Sequence, residues 1–538
     1  AASAFSVAGN LKIEDGAIFA SGAFNHIVGG NFDNSGTFTT TSGTIITLSS
    51  SSAQSILGTT ATSFEKLTIN NSAGVNIYTD VTVNNTLTLT SGNLNVGATT
   101  LTLNGDAIKT SGFINVSTLS SLAFGGTTTF SPGVTLFPTP PNINNLTINR
   151  TGGVQLCCDF TINGVLNLQS ANPSGILGTL DMGTNTLNMG ENATTIGIGD
   201  VTGIIRREHT FTTNTEYTFG SQYTTIDFID GNLTPTWISL KVTIGSVPTW
   251  SPWSPAPNGK VKRLYQVACS DNSSTALTDI NMRYLLSELD ATYNDESKLV
   301  FWHKMTGYAS GAPHEHGKAT QDFTNHSVGV IGLIFGSSAT TDLEDSQIAM
   351  AYSVTTKNTW KGEVSGHETE WEQSQNWTAG TVPVSTDEVL IPGGLTYYPS
   401  LTASANAVAK TLEIETGASI TANSFTITIS GAGGAWINDG TFTPGTSTVS
   451  FNHGVSNEIV TVAGITNFYN VLIGANTSLV PVPGCTFRIA GAASGTPTSQ
   501  ADWSAVNSTV EWNGVNQNIN NPQGIGGNSG YYNLILSG

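Results

Sequence analysis

The stretch Phe64-Glu65-Lys66-Leu67-Thr68-Ile69-Asn70-Asn71 decides how this chain is read. Leu67 and Ile69 alternate with Thr68, so a strand here turns its apolar side chains to one face and threonine to the other. Thr is β-branched and suits a pleated surface that is half wet. Asn and Gly, as in Asn70, Asn71 and Gly74, supply the positive-φ corners at which a short strand can turn at once.

The phrase returns as Ile143-Asn144-Asn145-Leu146-Thr147-Ile148, Phe468-Tyr469-Asn470-Val471-Leu472-Ile473 and Tyr531-Tyr532-Asn533-Leu534-Ile535-Leu536. Shorter echoes lie between, among them Val81-Thr82-Val83, Leu87-Thr88-Leu89, Leu101-Thr102-Leu103 and Phe160-Thr161-Ile162. No convincing amphipathic helix interrupts them, and the chain reads as all-β. Sandwich strands usually run about five to six residues and are joined by hairpins. These are shorter, Thr-rich and evenly punctuated, which favours a parallel β-helix whose coils stack ~4.8 Å apart. Leu67, Ile69, Leu87, Leu89, Leu101 and Leu103 are expected to face inward.

The pattern breaks near Gly199. Longer alternating runs follow, such as Ile238-Ser239-Leu240-Lys241-Val242-Thr243-Ile244, and they suggest an antiparallel, sandwich-like domain. The expected order is a β-solenoid over 1–199, an inserted β-sandwich-like domain over 200–355, and a second solenoid over 356–538.

Composition narrows the function classes. The chain has 538 residues, 10% of them charged, against roughly a quarter in an ordinary soluble domain. Its 38% hydrophobic content is enough for a core and excludes a disordered chain. The net charge is −19 with no Lys/Arg cluster, which argues against nucleic acid and anionic membrane surfaces as partners. No apolar run reaches the ~20 residues of a membrane span. Scarce Lys with abundant Thr, Ser, Asn and Gly suits an exported surface protein. The start Ala1-Ala2-Ser3-Ala4, without Met, reads as a mature or trimmed product.

Several phrases resemble the large repetitive surface proteins and adhesins that the Bacteroidetes export by the type IX secretion system. The coils Leu67 to Val75 and Leu87 to Leu94 are similar to theirs. So are Thr359-Trp360-Lys361-Gly362, Asn376-Trp377-Thr378-Ala379-Gly380 with Asp387-Glu388-Val389-Leu390-Ile391-Pro392, and Gly440-Thr441-Phe442 leading into Val449-Ser450-Phe451-Asn452. The resemblance covers about two-thirds of the chain and implies a parallel β-helix on a cell surface. It departs from that group in showing no sorting domain.

Candidate chemistry is sparse. His303, His314, Glu315, His316 and His326 form the densest ionisable cluster, without a diagnostic ligand spacing. Asp271-Asn272-Ser273 and Asp342-Leu343-Glu344-Asp345 offer oxygens to Ca²⁺ but lack the turn of a calcium loop. No cofactor is implied. The repeats carry few charges at equivalent positions on successive coils, and Arg206-Arg207-Glu208 reads as surface decoration, so no enzyme is expected. Trp250 and Trp253 form a rigid aromatic segment that could display rings to a sugar or a partner. Trp360, Trp371 and Trp377 are expected to staple the start of the second solenoid. Cys157-Cys158 and Cys485 precede similar strands, which would allow a disulfide between coils in an oxidising setting.

These features point to a structural, rod-like extracellular protein, a filament subunit or adhesin stalk. Its partners would be copies of itself and, beyond them, surface glycans or cells; the alternative is a carbohydrate-binding or carbohydrate-active β-helix protein. An open solenoid end exposes unpaired backbone groups. The sequence at each end reads as part of one repeat, so either residues 1–538 are one period of a longer chain or copies stack head to tail through Phe5, Val7, Leu11 and Ile13 of one and Tyr531, Tyr532, Leu534 and Leu536 of the next.

Overall fold

The computed structural model describes the chain except residues 134, 170–178, 230–233, 250–256, 271–275, 306–312, 319, 336–345, 353–356, 380, 403–405, 456–458, 496–498 and 520–529. Among the described residues there is no α-helix. From the first strand, Ser6–Val7, each short strand pairs in parallel with its counterpart one coil further on. Ser6–Val7 pairs with Asn25–Val28, which pairs with Ile45–Ser50, then Thr62–Asn71, then Val81–Ser91. A second face runs from Leu11–Ile13 through Phe32–Asn34, Gln54–Leu57, Val75–Ile77 and Leu94–Val96 to Ile114–Asn115.

In-register stacking turns the sequence alternation into continuous columns. Ile46, Leu67 and Leu87 form one and Leu48, Ile69 and Leu89 another, every member fully buried. Leu101 and Leu103 are buried as well, so all six expected inner residues face inward. The recurring phrase turns out to be a corner between faces. Phe64 closes one face and Leu67 opens the next within the strand Thr62–Asn71; Phe468 closes Ile459–Phe468 and Asn470–Ile473 follows. Glycine is required where coils touch at a corner: Gly92 has φ +73°, and a Cβ there would lie 1.6 Å from the Asn71 carbonyl oxygen. Asparagines reinforce the outer side. Asn95 donates to Asn76 at 2.9 Å and Asn115 donates to Asn95 at 2.8 Å.

The strand Val201–Glu208 joins two kinds of sheet. One edge pairs in parallel with Leu180–Met189, the other antiparallel with Trp237–Ile244. Arg263–Cys269, Ser346–Tyr352 and Leu299–Met305 continue that sheet antiparallel. A second antiparallel sheet orders Glu216–Thr218, Thr225–Phe228, Ala276–Arg283, Ser327–Phe335 and Thr320–Asp322. Ile238, Leu240, Val242 and Ile244 are all buried, as the alternation requires, and they share one core with the first solenoid.

An ion network crosses this junction. Arg263 donates to both oxygens of Asp200 (2.9 and 3.0 Å) and of Glu288 (2.9 and 2.7 Å). Arg283 lies 3.4 Å from Asp200 and donates to the Gly199 carbonyl at 2.8 Å. All four side chains are buried. Two cations and two anions balance, so the charges are compensated where water is excluded.

Parallel pairing resumes at Asn358–Thr359 and continues to Asn533–Leu536 around a separate core. Trp360, Trp371 and Trp377 open that core. They are buried, with Trp377 centred 4.9 Å from Trp360 and 4.6 Å from Trp371, as expected of staples.

Candidate functional site

A cleft of about 790 Å³ lies between the middle sheets and the outer face of the second solenoid. Its solenoid wall comes from successive coils. Leu390, Glu413, Ile437 and Ala463 stand in one outward column, because each is the parallel partner of the next. Glu388 and Thr411 form a neighbouring row, and Glu415 and Asp439 follow their strands at the far rim. The opposite wall is Ser297, Val300, Lys318, Gln321, Phe323 and Tyr352.

Most charges here are paired. Lys357 contacts Glu413, Lys410 lies 2.9 Å from Glu388, and Lys298 lies 3.1 Å from Asp295. Lys318 is held differently: its Nζ donates to the Ser297 carbonyl at 2.5 Å and to Gln321 Oε1 at 2.7 Å. Gln321 Nε2 in turn donates to the Glu296 carbonyl at 2.6 Å, and Tyr284 Oη donates to Glu296 Oε2 at 2.7 Å. His326 Nδ1 meets that same carboxylate oxygen at 2.7 Å. Burial lowers Lys318 to about 8, Glu413 opposing the shift and Lys357 adding to it. Across the cleft, burial and then the neighbouring Glu413 raise the Asp439 carboxyl. A positioned amine, carboxylates, hydroxyls and rings therefore share one water-accessible space.

The sequence reading missed this site. It found few charges at equivalent positions on successive coils, yet the coils carrying Glu388, Glu413 and Asp439 gather them along one wall. Glu413 and Glu415 were recognisable as outward residues from their alternation with Leu412 and Ile414. Nothing local linked them to Lys318.

The other candidates fall elsewhere. The register sets His303 opposite His314, and His303 is buried, whereas His326 is committed to Glu296. The side chains of His314, Glu315 and His316 lie outside the described residues. So do Trp250 and Trp253, and the segments Asp271-Asn272-Ser273 and Asp342-Leu343-Glu344-Asp345. Arg206-Arg207-Glu208 is not simply surface decoration. Alternation along the strand sends Arg206 out to Glu208 at 2.8 Å but buries Arg207, which donates to the Gly190 and Thr218 carbonyls at 3.0 Å. A Cys158–Cys485 bridge is overturned by topology: Cys158 packs on the first core and Cys485 lies in the second, and both are thiols. Burial pushes Cys485 up to about 12 and Cys158 up to about 11.

The residues expected at the two ends lie on the first and last coils. Phe5, Val7 and Leu11 are partly buried, Phe5 resting on His26 with ring centroids 4.1 Å apart, while Ile13 is buried in the core. Leu534 and Leu536 pair in register with Val510 and Trp512 but remain 43% and 60% exposed. Their counterparts in the preceding phrase, Val471 and Ile473, are 1% and 6% exposed. Tyr532 is exposed beside them, and Tyr531 is partly buried against Trp503, 5.5 Å between centroids.

No family model, no curated protein and no solved structure matches the chain. What the fold itself defines is a β-helix repeat protein with antiparallel sheets set between two runs of parallel coils.

Proposed function

We propose that this protein is a rod-forming structural element of an extracellular or cell-surface assembly, of the kind exported by the type IX system. The observation that carries this reading is the in-register stacking of short parallel strands, coil on coil, through both solenoid runs. Columns such as Ile46, Leu67 and Leu87 repeat one hydrogen-bonded unit along an axis, which is how a rod gains length and stiffness. In this reading, copies of the protein associate end to end. The contact is heterologous and does not close, so it propagates as a filament. Electron microscopy of the native material is expected to show rods. Monodisperse globular particles reject the rod.

A second reading has its own observation. The cleft beside Lys318 combines rings, hydroxyls and charges of both signs, which is the mixture that glycans engage, and it supports carbohydrate binding by the rod. Retention of the chain on immobilised glycans tests it, and the reading fails if nothing is retained.

A further inference from the structure

We propose that the cleft beside Lys318 selects an uncharged oligosaccharide over acidic or amino-bearing glycans; this rests on the carbohydrate-binding reading above. The charge arrangement carries the argument. Lys357 and Glu413 already neutralise one another in the cleft wall. Lys318 and Asp439 act on each other across the space with opposite sign, while Glu415 at the rim accepts from the Gly393 N–H at 3.0 Å. A polyanionic glycan would place carboxylates against Asp439 and Glu413, and a cationic one would place ammonium groups against Lys318. A hydroxyl satisfies both walls, because it accepts from an ammonium and donates to a carboxylate.

Lys318 is prepared for this role. An ammonium carries three hydrogens, and two are taken by the Ser297 carbonyl and Gln321 Oε1. The third is left for a ligand, on a nitrogen whose position is already fixed, so little ordering remains to be done on binding. The rings add the complementary half of sugar recognition. Phe323 is 53% exposed and lines the cleft with Tyr352, offering apolar surface to the C–H face of a pyranose. The volume of about 790 Å³ falls within the usual range for a small-ligand site, roughly 300–1,000 Å³.

Titration calorimetry on the full chain tests the proposal with five probes. Three are neutral (the hexasaccharides of β-1,4-glucan, β-1,4-mannan and α-1,4-glucan), one is an acidic oligogalacturonate, and one is a cationic chitosan oligomer. At least one neutral probe is expected to bind more tightly than both charged ones. Asp439→Asn, at a residue on the cleft rim whose side chain makes no hydrogen bond among the described residues, is expected to weaken that binding about tenfold, and Lys318→Met by a similar factor. Tighter binding of either charged probe overturns the selectivity while leaving the glycan reading intact. Binding of none overturns both. Neutral binding that Asp439→Asn leaves unchanged places the sugar elsewhere and also overturns the proposal, and this variant decides the matter even if Lys318→Met fails to fold.

Discussion

Leu67 shows how much one side chain in a repeat carries. It is fully buried and stacked between Ile46 and Leu87 in the coils on either side. Leu67→Ala removes packing in both directions and is expected to destabilise the chain by about 2–5 kcal/mol, read as a lower urea midpoint. A titrating group gives a second test. Asp227 lies opposite Glu216 in an antiparallel pair, and its Oδ1 is buried without a partner. Burial, with Glu216 adding to it, pushes Asp227 up to about 6 from an ordinary 3.8. Between those values the folded chain holds more protons than the unfolded one, so this group's contribution to stability falls as pH rises through the window. Asp227→Asn is therefore expected to stabilise the chain at neutral pH by about 1 kcal/mol, after allowance for partial solvent screening. The gain should shrink as pH falls towards 4. Thermal midpoints at both pH values check this, and an equal gain at each would contradict the assignment.

Elements are joined here by edges and by buried charge. The strand Val201–Glu208 carries hydrogen bonds from the last parallel coil into the antiparallel sheet, while Arg263 binds Asp200 to Glu288. Arg263→Ala leaves two carboxylates buried with their shared cation gone, and it is expected to cost about 3–5 kcal/mol. Arg206→Ala removes a partly exposed ion pair two strands away in the same sheet and is expected to cost under about 1 kcal/mol. Urea midpoints of the two variants make the comparison, and similar values would show that the network does not lock the junction.

At the scale of the whole molecule, coils contact mainly their neighbours along the stack, so stability is approximately a sum over coils and interfaces. Two separate cores, one shared by the first solenoid and the middle sheets and one belonging to the second solenoid, make two units of that sum. Hydrogen exchange is expected to be slowest through Thr62–Asn71 and Val81–Ser91, which have coils on both sides, and faster at the sheet-edge strand Thr320–Asp322.

The sequence by itself determined the strand type, the parallel β-helix and the inward residues. Alternation is local: Leu67-Thr68-Ile69 and Ile238-Ser239-Leu240 each announce a buried face without reference to anything distant. Only the tertiary structure decided where charge collects. Arg207 looked like its exposed neighbour until strand parity and the Gly190 and Thr218 carbonyls showed it inside. The cleft depends on which coil face the middle sheets lean against, and that sets Lys318 against Glu413 and Asp439, residues about a hundred positions later in the chain. A repeat fixes its own pairing at short range, whereas the meeting of two separately folded surfaces leaves no period in the sequence to read.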